Sequence, residues 1–135
     1  MSQDEKSIES EIVAKGLTAP RVTFSDVESN ISSEHYFTAG DGYAGALSIS
    51  PKFQQHEING EIPVINPPES LDLLTFCVLV LKNGFTVTGE SACASPENFD
   101  ADIGRKIAKA NAMKKIWPLM GYALKDHLHK SMQAA

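Results

Sequence analysis

The 135-residue chain has only two cysteines, and nowhere a run approaching the roughly 20 apolar residues that a membrane-spanning helix needs. Cys77 and Cys93 fall at no framework spacing, which excludes a disulfide-stapled secreted scaffold and points to a reducing compartment. The opening Met1-Ser2-Gln3-Asp4-Glu5-Lys6 is polar and acidic, so no signal peptide is expected. A phosphate loop, a dinucleotide fingerprint, a serine elbow and a short-spaced metal-ligand set are all missing. Positive charge is scarce as well. Residues 1–104 carry 5 Lys and Arg against 16 Asp and Glu, a net −11. An acidic chain with a pI near 5.3 repels phosphate over most of its surface, which argues against generic duplex binding.

The chain does have an ordinary globular balance, 42% hydrophobic and 21% charged, at a length that suits one domain over residues 1–135. It also has a charge reversal: from Arg105 onward there are 7 basic residues and one acid, Asp126, a net +6. Two readings follow. In one, a basic helix lies on its own acidic body; in the other, it is offered to an anion or to an acidic face of another subunit.

Residues 2–15 read as a helix, with Ile8, Ile12 and Val13 at helical spacing and Gly16 placed to end it. Thr23 is an N-cap candidate with Asp26 three residues on, and Val27 and Ile31 four apart extend a second short helix. From about 38 to 72 glycines and prolines punctuate short apolar pieces, which predicts a long loop or a loop with small strands. The hairpin of Leu73–Ser91 is the clearest element. Asn83-Gly84 predicts a two-residue type I′ turn. That turn sets Val80 opposite Val87 and Val78 opposite Gly89 on one side, joined by Phe76. Leu79 then faces Thr88, and Cys77 faces Glu90, on the other. Both sides of the first strand are apolar, so cover is expected on both.

Ser95-Pro96-Glu97-Asn98 then opens a long helix from about Pro96 to Trp117, with Ser95 as its cap and Pro118 ending or kinking it. Phe99, Ile103, Ile107, Ala110, Met113 and Trp117 form one apolar stripe; Ala101, Ala108, Ala112 and Ile116 form a second, small-residue strip. Two strips predict a helix sandwiched between its hairpin and a further helix or subunit, hence a homo-oligomer. A frayed tail is expected from about 126 to 135. The fold class is α+β: N-terminal helices, an antiparallel hairpin or small sheet, and a long C-terminal helix packed on it.

No residue stands out as catalytic. Cys93 precedes a helix start, where a thiolate is stabilised, but no base among His35, His56, His127 and His129 is tied to it. The expectation is therefore not an enzyme, with no cofactor and no metal. The remaining candidates form a ligand-binding set. Arg105 and Lys109, one turn apart, can clamp a phosphate by charge and fork geometry, and Phe85 and Trp117 are the aromatics offered beside them.

Several runs carry a resemblance: Ala19-Pro20-Arg21-Val22-Thr23; Phe76-Cys77-Val78-Leu79; Lys82-Asn83-Gly84-Phe85-Thr86-Val87-Thr88-Gly89-Glu90-Ser91-Ala92-Cys93; Pro96-Glu97-Asn98-Phe99-Asp100-Ala101-Asp102-Ile103-Gly104-Arg105-Lys106-Ile107-Ala108; and Ile116-Trp117-Pro118-Leu119 with Gly121-Tyr122 and Leu124. Over most of the chain outside Thr38–Ser70 it resembles the small tailed-phage proteins of the coliphage N-four gp forty-nine and Shigella phage Sf-six gene sixty-six type. The resemblance implies a bacteriophage accessory protein acting in the host bacterial cytoplasm, and it brings no catalytic residues. Two functions fit. One is an oligomeric binder of a small anionic ligand such as a nucleotide immune signal, an anti-defence protein that acts by sequestration. The other is an interaction module that inhibits or adapts a host protein through the basic helix or the long loop.

Overall fold

The computed structural model describes residues 3–51 and 66–134. Helix α1, Gln3–Ala14, stops where Gly16 takes a positive φ of 67°. Helix α2, Phe24–Ser29, opens on a reciprocal capping box: the Asp26 amide donates to Thr23 Oγ1 and the Thr23 amide to Asp26 Oδ2. Asn30 closes it, so Ile31 belongs to the next element instead of extending α2.

That element is strand β1, Ile31–Thr38, which sequence patterning did not suggest. Its helix-facing positions are Glu34, Tyr36 and Thr38, while Phe37 points to the other face. The apolar/polar alternation that marks a half-buried strand is therefore inverted. The Gly-rich stretch that follows is not a loop but helix α3, Ala39–Ser48, opened by a second Thr-x-x-Asp box at Thr38 and Asp41. One of its glycines, Gly40, is there for contact. A Cβ on Gly40 would collide with the Asp72 carboxylate, and Gly42 lies against the Phe37 ring. A further short helix, α4, spans Glu69–Asp72. Within the region 38–72, residues 52–65 lie outside the described residues.

Strands β2, Leu74–Leu81, and β3, Thr86–Ala92, complete an antiparallel sheet of order β1-β2-β3. Their connection differs from the expected turn. Only Gly84 has positive φ (88°); its amide donates to the Leu81 carbonyl at 2.9 Å, and the Leu81 amide to the Phe85 carbonyl at 2.8 Å. This is a three-residue loop, a type I turn followed by a left-handed glycine. The extra loop residue moves the register by one, pairing Leu79 with Val87 and Cys77 with Gly89. A one-residue shift exchanges faces. Val87 and Gly89 therefore join Leu79 and Cys77 on the buried side, and the pairings expected for Val80 and Val78 are not formed.

On that side lies the last helix, α5, Ala101–Ala134. It does not begin at Ser95, which caps only a 3₁₀ turn, Pro96–Asn98, without using its side chain. The cap is Asp100, whose Oδ1 accepts from the Ile103 amide at 3.1 Å. The helix continues through Pro118, beside which Leu119 and Lys114 face solvent, and residues 126–134 belong to it. A helix of 34 residues is about 51 Å long, so it overreaches the sheet. The core consists of Val27 from α2, Cys77, Leu79, Leu81 and Val87 from the sheet, and Ala108, Ala112 and Ile116 from α5. It is the small-residue strip that faces the sheet. Ile103 and Ile107 of the larger stripe are 56% and 47% exposed. The second face of β2, Leu74, Phe76, Val78 and Val80, is half-buried, with Phe76 stacked on Phe37 at 5.7 Å between ring centroids.

At Gly89 the α5 backbone comes so close that a Cβ would overlap the Ala108 carbonyl and the Ala112 amide, and would lie 2.9 Å from Ala112 Cα. Gly89→Ala is therefore expected to destabilise by about 3 kcal/mol, read as a lower urea midpoint. Gly84→Ala is expected to cost about 1–2 kcal/mol through its positive φ. Equal midpoints for Gly89→Ala and wild type would contradict this packing.

Candidate functional site

Among the residues put forward as a ligand set, Arg105 and Lys109 remain neighbours on α5, but each meets an acid. Lys109 Nζ is 2.8 Å from Glu34 Oε2 of β1. Tyr36 donates its hydroxyl proton to Glu34 Oε1 at 3.3 Å. The Lys109 ammonium, bonded to Glu34 and adding its charge, holds that carboxyl below its ordinary range against the opposing effect of burial. Burial pushes the Tyr36 hydroxyl upward, with Cys77 and Glu34 adding to it; burial also pushes the Cys77 thiol up. So the basic helix lies, at Lys109, on the acidic half of its own chain.

Arg105 has a weaker tie. Its Nη1 is 2.9 Å from Asp102 Oδ1 one turn back, and both side chains are largely in water. An exposed pair of this kind contributes about 0.5 kcal/mol, so the guanidinium is easily drawn to another anion. Arg105 borders a cavity of about 100 Å³ with Tyr36, Phe37, Thr38, Asp41, Thr75, Phe99 and Ala101. The Asp41 carboxylate there is engaged by the Thr38 amide.

Phe85 and Trp117 are elsewhere. Trp117 is roughly 18 Å along the helix axis from Arg105 and borders a separate cavity with Glu5, Ile8, Glu9 and Phe24. Phe85 follows the hairpin loop, whose Lys82 borders a cleft with Met120, Ala123 and Leu124 of the distal part of α5. Arg105 sits at the opposite end of the sheet, since the neighbouring Gly104 lies over Thr75. The four residues do not converge on one pocket in this chain.

Thr75 is the residue that patterning passed over. It is 4% exposed, and its Oγ1 is the one buried side-chain polar atom without a hydrogen-bond partner among the described residues. A Cβ on Gly104 would stand 3.1 Å from that oxygen, so the glycine makes room for it. Thr75 and Phe99 border both the Arg105 cavity and a second one of about 130 Å³ that also includes Ser91, Cys93, Asn98 and Asp100. A polar residue at a core-facing position of Leu73-Leu74-Thr75-Phe76-Cys77 is visible in the sequence, and its partnerless state is visible only in the fold. Cys93 directs its thiol to the Ser95 carbonyl at 3.2 Å, and His35 is bonded to Ser33.

A single long helix on a small antiparallel sheet, with an arginine, aromatics and a partnerless hydroxyl at one end, defines an α+β domain with a compact polar recess. Residues 22–128 match the model of the phage protein (N4 Gp49/phage Sf6 gene 66) family, and the chain belongs to that family. No curated protein and no solved structure matches the chain. Among the described residues no helix is long and apolar enough to cross a membrane.

The Lys109–Glu34 pair makes a pH-dependent contribution of known sign. Because the Glu34 carboxyl is held below its ordinary 4.5, the contribution is complete above that pH and is lost as pH falls through the lowered value. Lys109→Met should lower stability at pH 7 by about 0.5 kcal/mol, allowing for the partial exposure of both groups. The difference from wild type should close as the pH is lowered toward 3, measured by thermal melts across that range.

Proposed function

We propose that this phage protein is a non-enzymatic accessory protein that acts as a homo-oligomer in the host cytoplasm and holds a small anionic ligand of the nucleotide immune-signal class, which it sequesters. The observation that carries this reading is the partnerless Thr75 hydroxyl between two cavities at the head of α5. A buried hydroxyl without a partner costs about 1–3 kcal/mol, and a ligand atom that accepts from it or donates to it recovers that cost. Around it stand the groups that a nucleotide-like anion requires: the lightly held Arg105 for phosphate, and Phe37, Phe99 and Tyr36 for an aromatic or sugar body. Each cavity is smaller than the roughly 300 Å³ at which small-molecule sites begin, so a second copy is needed to complete the wall. Ile103 and Ile107, exposed beside the Thr75 recess, give that copy an apolar surface to cover.

The reading is tested by thermal shift of wild type, Arg105→Ala and Thr75→Val against cyclic dinucleotides, cyclic ADP-ribose variants and mononucleotides. A ligand at a hundred times its Kd raises wild-type stability by about 2.7 kcal/mol. Arg105→Ala should keep the melting temperature of the free protein within a degree or two and weaken binding about tenfold or more. Thr75→Val should stabilise the free protein by about 1 kcal/mol, because the partnerless hydroxyl is gone, and should also weaken binding. A wild type that shifts with none of these compounds overturns the reading. Selective capture of one host protein that depends on the exposed row of α5 would then favour the interaction module.

A further inference from the structure

Helix α1, at residues 3–14, lies outside the family match of 22–128. Of its side chains from Asp4 onward none is buried. The half-buried ones, Glu5, Glu9 and Ile12, are spaced four and three apart and so share one face. A helix normally turns an apolar stripe to the body it packs on. Here two of the three inward positions are carboxylates. The linker that follows, from Lys15 to Pro20, is exposed throughout, so α1 is held by that one face.

The body meets this acidic face with a matching seat. Arg21 donates to Glu9 through both terminal nitrogens, at 2.9 and 3.1 Å, and the Phe24 amide donates to the same carboxylate. Glu5 and Glu9 border a cavity of about 240 Å³ whose aromatic walls are Phe24 and Trp117. Ile8, the aliphatic residue at that cavity, is 57% exposed, and the space between α1 and the two rings stays unfilled. The seat thus recognises the acid closely and the apolar side chain loosely. A lone helix of 12 residues is marginal in water, so α1 keeps its helix only while seated.

We infer that Arg21, Phe24 and Trp117 form a receptor for an acidic amphipathic helix, that α1 fills it as a displaceable built-in cover, and that a helical segment of a partner protein takes its place. The cover itself states the chemistry of that segment: glutamates four residues apart with an aliphatic residue three further on, as in Glu5, Glu9 and Ile12. A partner whose aliphatic side chain fills the space beside Phe24 and Trp117 gains a contact that α1 does not make. The receptor is independent of the anion site proposed above, because Trp117 and Arg105 are roughly 18 Å apart along α5.

Trp117 is the only tryptophan of the chain, so its quenching by acrylamide reports on the seat. In the full-length protein, Glu9→Lys sets two cations together and should release the cover, raising Trp117 quenching while thermal melts show the body folded. A labelled peptide of residues 1–16 should then bind Glu9→Lys about tenfold or more tighter than wild type, whose receptor is open only for the fraction of time that the cover is off. Arg21→Glu should reverse the preference, refusing that peptide and binding one that carries Glu9→Lys. In wild type, hydrogen exchange should be about a hundredfold or more faster at the α1 amides than at residues 108–116 of α5, because the cover opens without global unfolding. Unchanged quenching in Glu9→Lys, equal peptide binding by that variant and wild type, no reversal in Arg21→Glu, or α1 exchange as slow as that of α5 each overturns the receptor and its cover. None of these outcomes bears on the ligand assay at Arg105 and Thr75.

Discussion

Where β3 passes under α5, the Ala108 carbonyl and the Ala112 amide fill the space in which a Cβ on Gly89 would sit. This backbone-to-backbone approach sets the distance between the helix and the sheet, and other features follow from it. With the helix this close, only small side chains fit on its inner face near the strand. Gly104, Ala108 and Ala112 therefore point inward, and the bulkier Ile103 and Ile107 turn outward. The hairpin register must also present Gly89 to the helix, which the three-residue loop with its left-handed Gly84 achieves. At the far end of the same contact, Gly104 brings α5 over Thr75 and leaves the recess bordered by Arg105 and Phe99.

Electrostatics add direction to that packing. The basic C-terminal third and the acidic remainder are joined by Lys109 and Glu34, and Glu34 is in turn bonded to Tyr36, which lies against the buried Cys77. Part of the charge reversal is thus intramolecular complementarity. Arg105, one turn earlier, borders the Tyr36–Thr38 end of β1, which carries no acid, and its ion pair is with the exposed Asp102. The difference between these two cations is one helical turn, and it separates an ion pair to the sheet from an exposed pair within the helix.

Much of this is legible in the sequence. Gly16 ends α1 and Thr23 with Asp26 opens α2, because capping depends on residues within one turn of each other. The apolar run of β2 and the turn at Asn83-Gly84 predict the hairpin, and the periodicity of residues 99–117 predicts the long helix, though not which of its strips is buried. The same Thr-x-x-Asp box stands at Thr38 and Asp41, but Gly40, Gly42 and Gly45 outweigh it on propensity alone. What propensity does not contain is the tertiary setting of the helix, in which Gly40 packs on Asp72 and Gly42 lies against Phe37.

What the sequence determined by itself is therefore local: caps, breaks, strand and helix segments, the charge division, and the family to which the motifs belong. The tertiary structure alone decided which strip of α5 is buried, which face β3 presents, that Ile31–Thr38 is a strand, and that Arg105 is near Thr75 while Phe85 and Trp117 are not. Each of these depends on how closely two backbones approach or on which residues lie opposite across a sheet. Those are distances between segments far apart in the chain, and a one-residue change in the length of a loop is enough to exchange them.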